Sequence, residues 1–270
     1  MAGTMTDLAI AYRVMAEPDP EHISSGFFPR PSRPHKPVNK KILGVYKHWV
    51  DRADASAKRL FDAAIDHLVS KQGYEVIDIS IPFIHEGQSA HAVTILSEVC
   101  ASFPDIAGLT PANKVLISVG RHASATDLLN AQKLRHLLLA HLSFLFKQHP
   151  GLIIVTPTTP NVGWHISGGV GDLKYGVSDG NMSVRSMEYV WLANFCGLPC
   201  ISVPVGYVDP VEGEGKIPVA LSGNAEWGAE DALIEFGFDA EAYLNGGGEE
   251  SRVKPAGWVD VLELAKKYMG

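Results

Sequence analysis

The sequence predicts an α/β fold with at least partly parallel strands, and three neighbouring segments carry that expectation. Ile42–Tyr46 is a short apolar run suited to a buried strand. Ala53–Lys71 places Ala57, Leu60, Phe61, Ala64, Ile65 and Leu68 on one face of a helix. Tyr74–Ile79 then alternates as a second strand. A strand, an amphipathic helix and a second strand in this order form a crossover unit, which brings two strands side by side in the same direction.

The remaining elements follow in order. Residues 4–16 read as a helix opened by Thr6-Asp7 and stopped by Glu17-Pro18-Asp19-Pro20. Six prolines between Pro18 and Pro37 mark an extended connection. Residues 86–103 and 124–148 read as helices. Gly151–Val155 is an apolar strand that Thr156-Pro157-Thr158-Thr159-Pro160 breaks. Residues 160–182 are rich in glycine and polar groups and read as a loop. A helix is expected over 184–195, strands over 200–205 and 217–221, and helices over 228–244 and 257–268. The last two are separated by a flexible Asn245–Gly248 break. No internal repeat and no domain boundary is visible.

Composition excludes several classes. The chain has 270 residues, 46% hydrophobic and 20% charged; such a mix buries a core and argues against disorder. A net charge of -7 gives no footprint for nucleic acid or an anionic membrane. The longest apolar stretch, Leu137–Phe146, is broken by His141 and Ser143. It falls short of the ~20 residues that a membrane span needs. The N-terminus lacks a basic region followed by an apolar one. Three cysteines make no disulfide framework, so a reducing, cytoplasmic setting is expected. Cys196 and Cys200 read as small buried residues beside a strand.

Trp191–Gly206 reads WLANFCGLPCISVPVG. It resembles the amidase-signature family, whose members carry a helix ending in Asn-Leu-Ala-Gly-Leu-Pro and then the strand Ala-Ile-Ser-Val-Pro-Val-Gly. Here Asn194 and Gly197 would finish the helix, Pro199 would block its continuation, and the strand would leave at Pro204. Thr156–Pro160, Lys216–Leu221, Gly73–Pro82 and Met1–Ala9 resemble further family segments in the family's order. The resemblance covers nearly the whole chain, and residues 181–208 look most like fungal amidases. It implies half of an α/β/α sandwich with a mixed β-sheet, forming one partial domain over residues 1–270.

The resemblance also implies a limit. In the family a Lys, a bridging Ser and a nucleophilic Ser lie upstream of the segment that Met1–Ala9 matches, so no catalytic residue carries over. Nothing local replaces them. Ser167–Gly171 is a Gly-rich loop without a partner Lys, and Ser251-Arg252-Val253-Lys254 sits in a polar stretch where a chance match is the better reading. The eleven histidines offer no metal pair with a neighbouring Glu, so no metal and no cofactor is expected. The chain should therefore be inactive alone and, when complete, hydrolyse the C–N bond of a small-molecule amide. The alternative is a non-catalytic binding or assembly module. The expected partners of the chain are a small-molecule amide substrate and the missing N-terminal half or further copies of itself, joined through apolar strands such as Leu152–Val155 and Ile201–Val205.

Pocket residues are sought where loops follow strands. Thr158, Thr159 and Trp164 follow one strand; Arg185, Met187, Glu188 and Trp191 precede the Gly197 turn. Ordinary packing is the competing reading for each. Glutamine-using relatives carry an Asp seven residues before the Asn of this turn. Met187 stands there instead, which favours an apolar amide over glutamine.

Overall fold

The computed structural model describes residues 1–27, 40–103, 105–166, 169, 171, 174, 179–246, 252–253 and 257–269. Five strands form one mixed sheet: β1 (Ile42–Val45), β2 (Glu75–Asp78), β3 (Leu152–Pro157), β4 (Cys200–Val208) and β5 (Ile217–Asn224). Their order is β2-β1-β3-β5-β4. β1 pairs in parallel with β2 and β3, whereas β5 is antiparallel to both β3 and β4. The expected crossover is present: α3 (Ala55–Gln72) joins β1 to β2, and all six residues of its apolar stripe are buried. Gly73 ends it in the left-handed region at φ 75°, which costs a glycine nothing.

Alternation along the strands feeds two cores. Leu43, Val45, Ile153, Val155, Ile201, Val203 and Leu221 point to one face, under α1 (Met5–Met15), α3 and α9 (Glu230–Asn245). Ile42, Leu152 and Ile154 point to the other, under α4 (Ile84–Ser102), α6 (Ala125–Gln148) and α8 (Trp191–Cys196). Helices on both faces of a mixed sheet make the α/β/α sandwich that the sequence implied.

Several expectations change. Leu152–Val155 is wholly buried, and so are Ile201, Val203 and Val205; they are covered apolar surface rather than sticky patches. Only the alternate residues of β4, Cys200, Ser202 and Pro204, are exposed. Cys196 is buried as expected and Cys200 is not. The strand does not leave at Pro204. It runs on to Val208 through a register slip between Pro204 and Gly206, a bulge that accommodates a residue without an N–H. The helix expected over 184–195 is two helices, α7 (Gly180–Ser186) and α8, separated by Met187–Val190. The break arises because Glu188 and Tyr189 turn inward to bond the loop after β1. A further helix, α5 (Pro111–Gly120), was not read from the sequence. It buries Ile117 and Gly120 but leaves Val115, Leu116 and Val119 outside, so its apolar residues mark no single face. Residues 28–37 of the proline-rich connection, Ser167, Gly168 and Val170 of the Gly-rich loop, Gly247–Gly248, Ser251 and Lys254 lie outside the described residues. The C-terminal helix α10 spans Val261–Met269.

Candidate functional site at the strand ends

The C-terminal ends of parallel strands are where open α/β sheets collect ligand-binding loops. The loop after β1 holds the short α2 (Lys47–Val50) and then Arg52 and Asp54. The Glu188 carboxylate, nearly buried, accepts from Trp49 Nε1 at 3.0 Å and from Arg52 Nε at 3.1 Å. Arg52 also reaches His85 Nε2 at 2.8 Å, at the start of α4. Tyr189 donates its hydroxyl to the carbonyls of Trp49 and Val50 at 3.1 and 3.2 Å. Burial, reinforced by the Glu188 charge, raises the Tyr189 hydroxyl above the ordinary tyrosine range, so it stays a donor. A 330 Å³ hollow opens beside these groups, lined by Tyr46, His48, Trp49, Arg52, Phe83 and His85. Phe83 holds a positive φ of 58°, a strained conformation for an aromatic residue.

Of the residues sought from the sequence, Arg185, Thr159 and Met187 lie around the exit of β3 and the end of α7. Arg185 forms an ion pair with Asp54, whose backbone N–H donates to Pro160 O at 2.7 Å. Thr159 Oγ1 donates to Asn161 O at 2.9 Å, and Ser186 Oγ donates to Asn161 Oδ1 at 3.1 Å. The exit of β3, the start of α3 and the end of α7 are thus tied in one knot. Met187 caps α7, half-buried. Trp164 is half-buried with its indole N–H unpartnered among the described residues. Trp191 lies elsewhere: it is fully buried in the core, its ring 6.1 Å from that of Trp49. Asn194 is exposed, Gly197 closes α8 at φ 66°, and Pro199 O accepts from Ala225 N. Trp49, Arg52 and His85 gave no sequence signal, since each stands alone in its segment. The one available cue was an acidic residue, Glu188, inside an apolar stretch.

A second set of polar groups crosses the sheet. Thr156, Ser222 and Ser202 are register partners on β3, β5 and β4, so they form a row on one face. Thr158 Oγ1 shares a hydrogen bond of 2.8 Å with Ser202 Oγ, and Cys200 Sγ lies 3.3 Å from Ser222 Oγ. Thr156 Oγ1 is buried without a partner among the described residues. Of the row only Ser202 is exposed, so it alone can accept from or donate to a neutral amide; Thr156 and Ser222 are buried. Among the described residues the row meets no Lys, His or carboxylate, so it has no proton acceptor there to activate a nucleophile. A groove of about 690 Å³ follows the β4 edge beside it, lined by Leu8, Tyr12, Pro199, Cys200, Pro204 and Ile234 among others. No group of three or more His, Cys, Asp or Glu able to hold a metal occurs among the described residues.

One buried ionisable group bears on stability. His91 on α4 is 2% exposed, neither ring nitrogen has a partner among the described residues, and the ring lies edge-on to Phe195 at 6.1 Å. Burial lowers its pKa from the ordinary 6.5, so it is neutral in the folded chain. As pH falls through 6.5 the unfolded chain takes up this proton first, and stability is lost from there downward. Thermal unfolding at pH 7.5 and 5.5 should show a smaller acid loss for His91→Phe than for the parent. Equal losses in both would refute this assignment.

Comparison with known proteins fits this architecture. An amidase family model matches residues 1–234, and the chain belongs to the amidase family. It is 28% identical over 279 aligned positions to a fatty acid amide hydrolase of Medicago truncatula, covering 97% of this chain and 43% of that protein. It is 26% identical to an amidase of Pseudomonas putida, covering 76% of this chain and 45% of the relative. A solved inhibitor-bound structure from a vestigial complex, bearing on the origins of an s-triazine catabolic enzyme, superposes with TM-score 0.68 at 22% identity. It covers 94% of this chain and 54% of its own. The chain therefore spans about half the length of these relatives. The two sequence relatives are plant and bacterial, and they give no support to the fungal likeness read from residues 181–208. Among the described residues no helix is long and apolar enough to cross a membrane.

Proposed function

We propose that residues 1–270 are one part of an amide C–N hydrolase domain, that they shape the pocket for an apolar amide, and that they are inactive until polypeptide bearing a Ser-Ser-Lys triad is joined to them. The observation that carries the reading is the hydroxyl row of Thr156, Ser222 and Ser202, with Thr158 bonded to Ser202, which lies beside an open apolar groove and has no base among the described residues to activate it. The names of the plant and bacterial relatives support amide hydrolysis, and the first supports a long apolar acyl group. Met187, at the end of α7, offers no carboxylate to a substrate ammonium, which disfavours glutamine. Three unpaired cysteines suit a cytoplasmic setting, and the reaction calls for no cofactor.

The test joins the chain to the remaining portion of a relative. Hydrolysis of apolar amides should appear in the joined protein and exceed that of glutamine. The isolated chain should neither turn over amides nor label with a fluorophosphonate. Labelling of one serine in the isolated chain, with turnover lost on its mutation, would refute the inactive reading. A joined protein that folds yet stays inactive would favour an assembly module instead. In the active form Met187→Asp should raise kcat/KM for a cationic amide relative to a neutral one. The neutral rate should fall by no more than about tenfold, 1.4 kcal/mol, because the residue stands outside the proton relay. An unchanged ratio would place Met187 outside the pocket.

A further inference from the structure

We propose that the open side of β4 is the seam along which the polypeptide that completes the hydrolase is added: joined at Met1, it lays an extended segment along β4 and gives the sheet a further strand. That a completing polypeptide is needed rests on the proposed function; where it lies rests on the following geometry.

β4 is the last strand of the sheet, with β5 on one side only. The register shows which backbone groups it leaves over. Thr158 N donates to Ala220 O at 2.8 Å, so Ala220 turns its backbone groups toward β3. Ala220 is also the partner of Pro204 across β5 and β4. Antiparallel partners exchange both backbone bonds or neither, and the two kinds alternate along the pair. Pro204, Ser202 and Cys200 therefore point their backbone groups away from β5, whereas Ile201 and Val203 bond to it. Ala225 N, in the alternate set, donates to Pro199 O at 3.2 Å, as this phase requires. The open side thus carries the N–H groups of Cys200 and Ser202 and the carbonyls of Cys200, Ser202 and Pro204, without partners among the described residues. Proline, which has no N–H to give, stands where the ladder to β5 loses nothing. A row of this kind is a template for another extended segment.

The other end of the sheet is a poorer seam. β2 has four residues, begins with Glu75 and ends with Asp78, and Lys47 pairs with Asp78 at 3.0 Å. Short length and charge are what keep an edge from being extended. β4 has nine residues and runs beside the groove of about 690 Å³, whose lining holds one charged side chain, Glu230, among the described residues.

The groove also holds the point of attachment. Met1 and Ala2 line it, and Ala2, Gly3 and Thr4 line an adjoining hollow together with Ser202, Val203 and Pro204. A segment joined at Met1 starts inside the groove and has no loop to cross. A short tether gives an effective concentration in the millimolar range, so this segment outcompetes a second copy in dilute solution. Cys200 to Pro204 spans roughly 13 Å at about 3.3 Å per residue, and an added segment of that length fills the seam. A strand placed there runs about 4.8 Å from β4, which sets its side chains beside Ser202, the exposed hydroxyl of the row.

Amide hydrogen exchange at single-residue resolution tests the seam without reading hydrolysis. In the isolated chain the amides of Ile201 and Val203 should exchange slowly and those of Cys200 and Ser202 fast. The remaining portion of the Medicago truncatula relative is then joined ahead of Met1. Cys200 and Ser202 should slow by at least roughly a hundredfold, because a hydrogen-bonded strand amide exchanges only when the strand opens. β2 should gain no protection. Slow exchange of Cys200 and Ser202 already in the isolated chain, no gain on joining, or a gain at β2 instead would each overturn the seam. Protection that grows with the concentration of the isolated chain would assign the groove to a second copy and overturn it too. A joined protein that hydrolyses amides without protecting Cys200 and Ser202 keeps the proposed function and loses the seam; protection without hydrolysis does the reverse.

Discussion

Replacing Trp191 with alanine should cost about 3–5 kcal/mol of stability, the range for deleting a buried tryptophan that its surroundings cannot refill. The indole is fully buried where α4, α8 and the loop after β1 meet. Its ring lies 6.1 Å from Trp49 and 6.4 Å from Phe195. Its N–H has no partner among the described residues, so the loss is one of packing rather than hydrogen bonding. Gly87 makes the fit specific. A Cβ at that position would sit 2.4 and 2.7 Å from two atoms of the indole, so Gly87→Ala should cost about 1–3 kcal/mol by overpacking. In a Trp191→Ala background the same substitution should cost much less, because the indole is gone and only Leu138 Cδ1, 3.2 Å from the new Cβ, has to give way. The resulting non-additivity is the diagnostic. Urea unfolding of the four proteins measures it, and strictly additive penalties would mean the two residues do not meet.

That pair also shows where sequence reading stops. Trp191 was legible as a large side chain next to a Gly-Leu-Pro turn, and its position suggested a pocket. Only the close approach of Gly87, more than a hundred residues away, makes it core. The crossover of β1, α3 and β2 was readable because each segment carries its own period and Gly73 marks the stop. The left-handed turn at Gly197 was readable for the same reason. The break at Met187–Val190 was not, because its cause is tertiary: Glu188 and Tyr189 are drawn to Trp49 and Val50. α5 escaped because its apolar residues face both inward and outward. The row of Thr156, Ser222 and Ser202 depends on strand register, which no single strand encodes.

The ion pair that draws Glu188 inward should carry the second large effect. Arg52→Ala leaves a carboxylate with only 8% of its side chain exposed and, among the described residues, Trp49 Nε1 as its remaining side-chain donor. Losing one partner of such a pair costs about 3 kcal/mol, because the stranded charge keeps its desolvation penalty while losing its attraction. The converse change should be milder. Arg52 is 37% exposed, so after Glu188→Gln it can turn toward water and His85. The new amide oxygen can still accept from Trp49, which brings the expected cost to about 1 kcal/mol. Combining the two should recover much of the Arg52→Ala loss, since no charge is then left buried. Destabilisation should also release Met187–Val190 from the loop after β1, so proteolysis within that segment should accelerate most in Arg52→Ala. Equal penalties for the two single variants, or a double variant as unstable as the sum of both, would show that the pair is not what holds α7 and α8 apart.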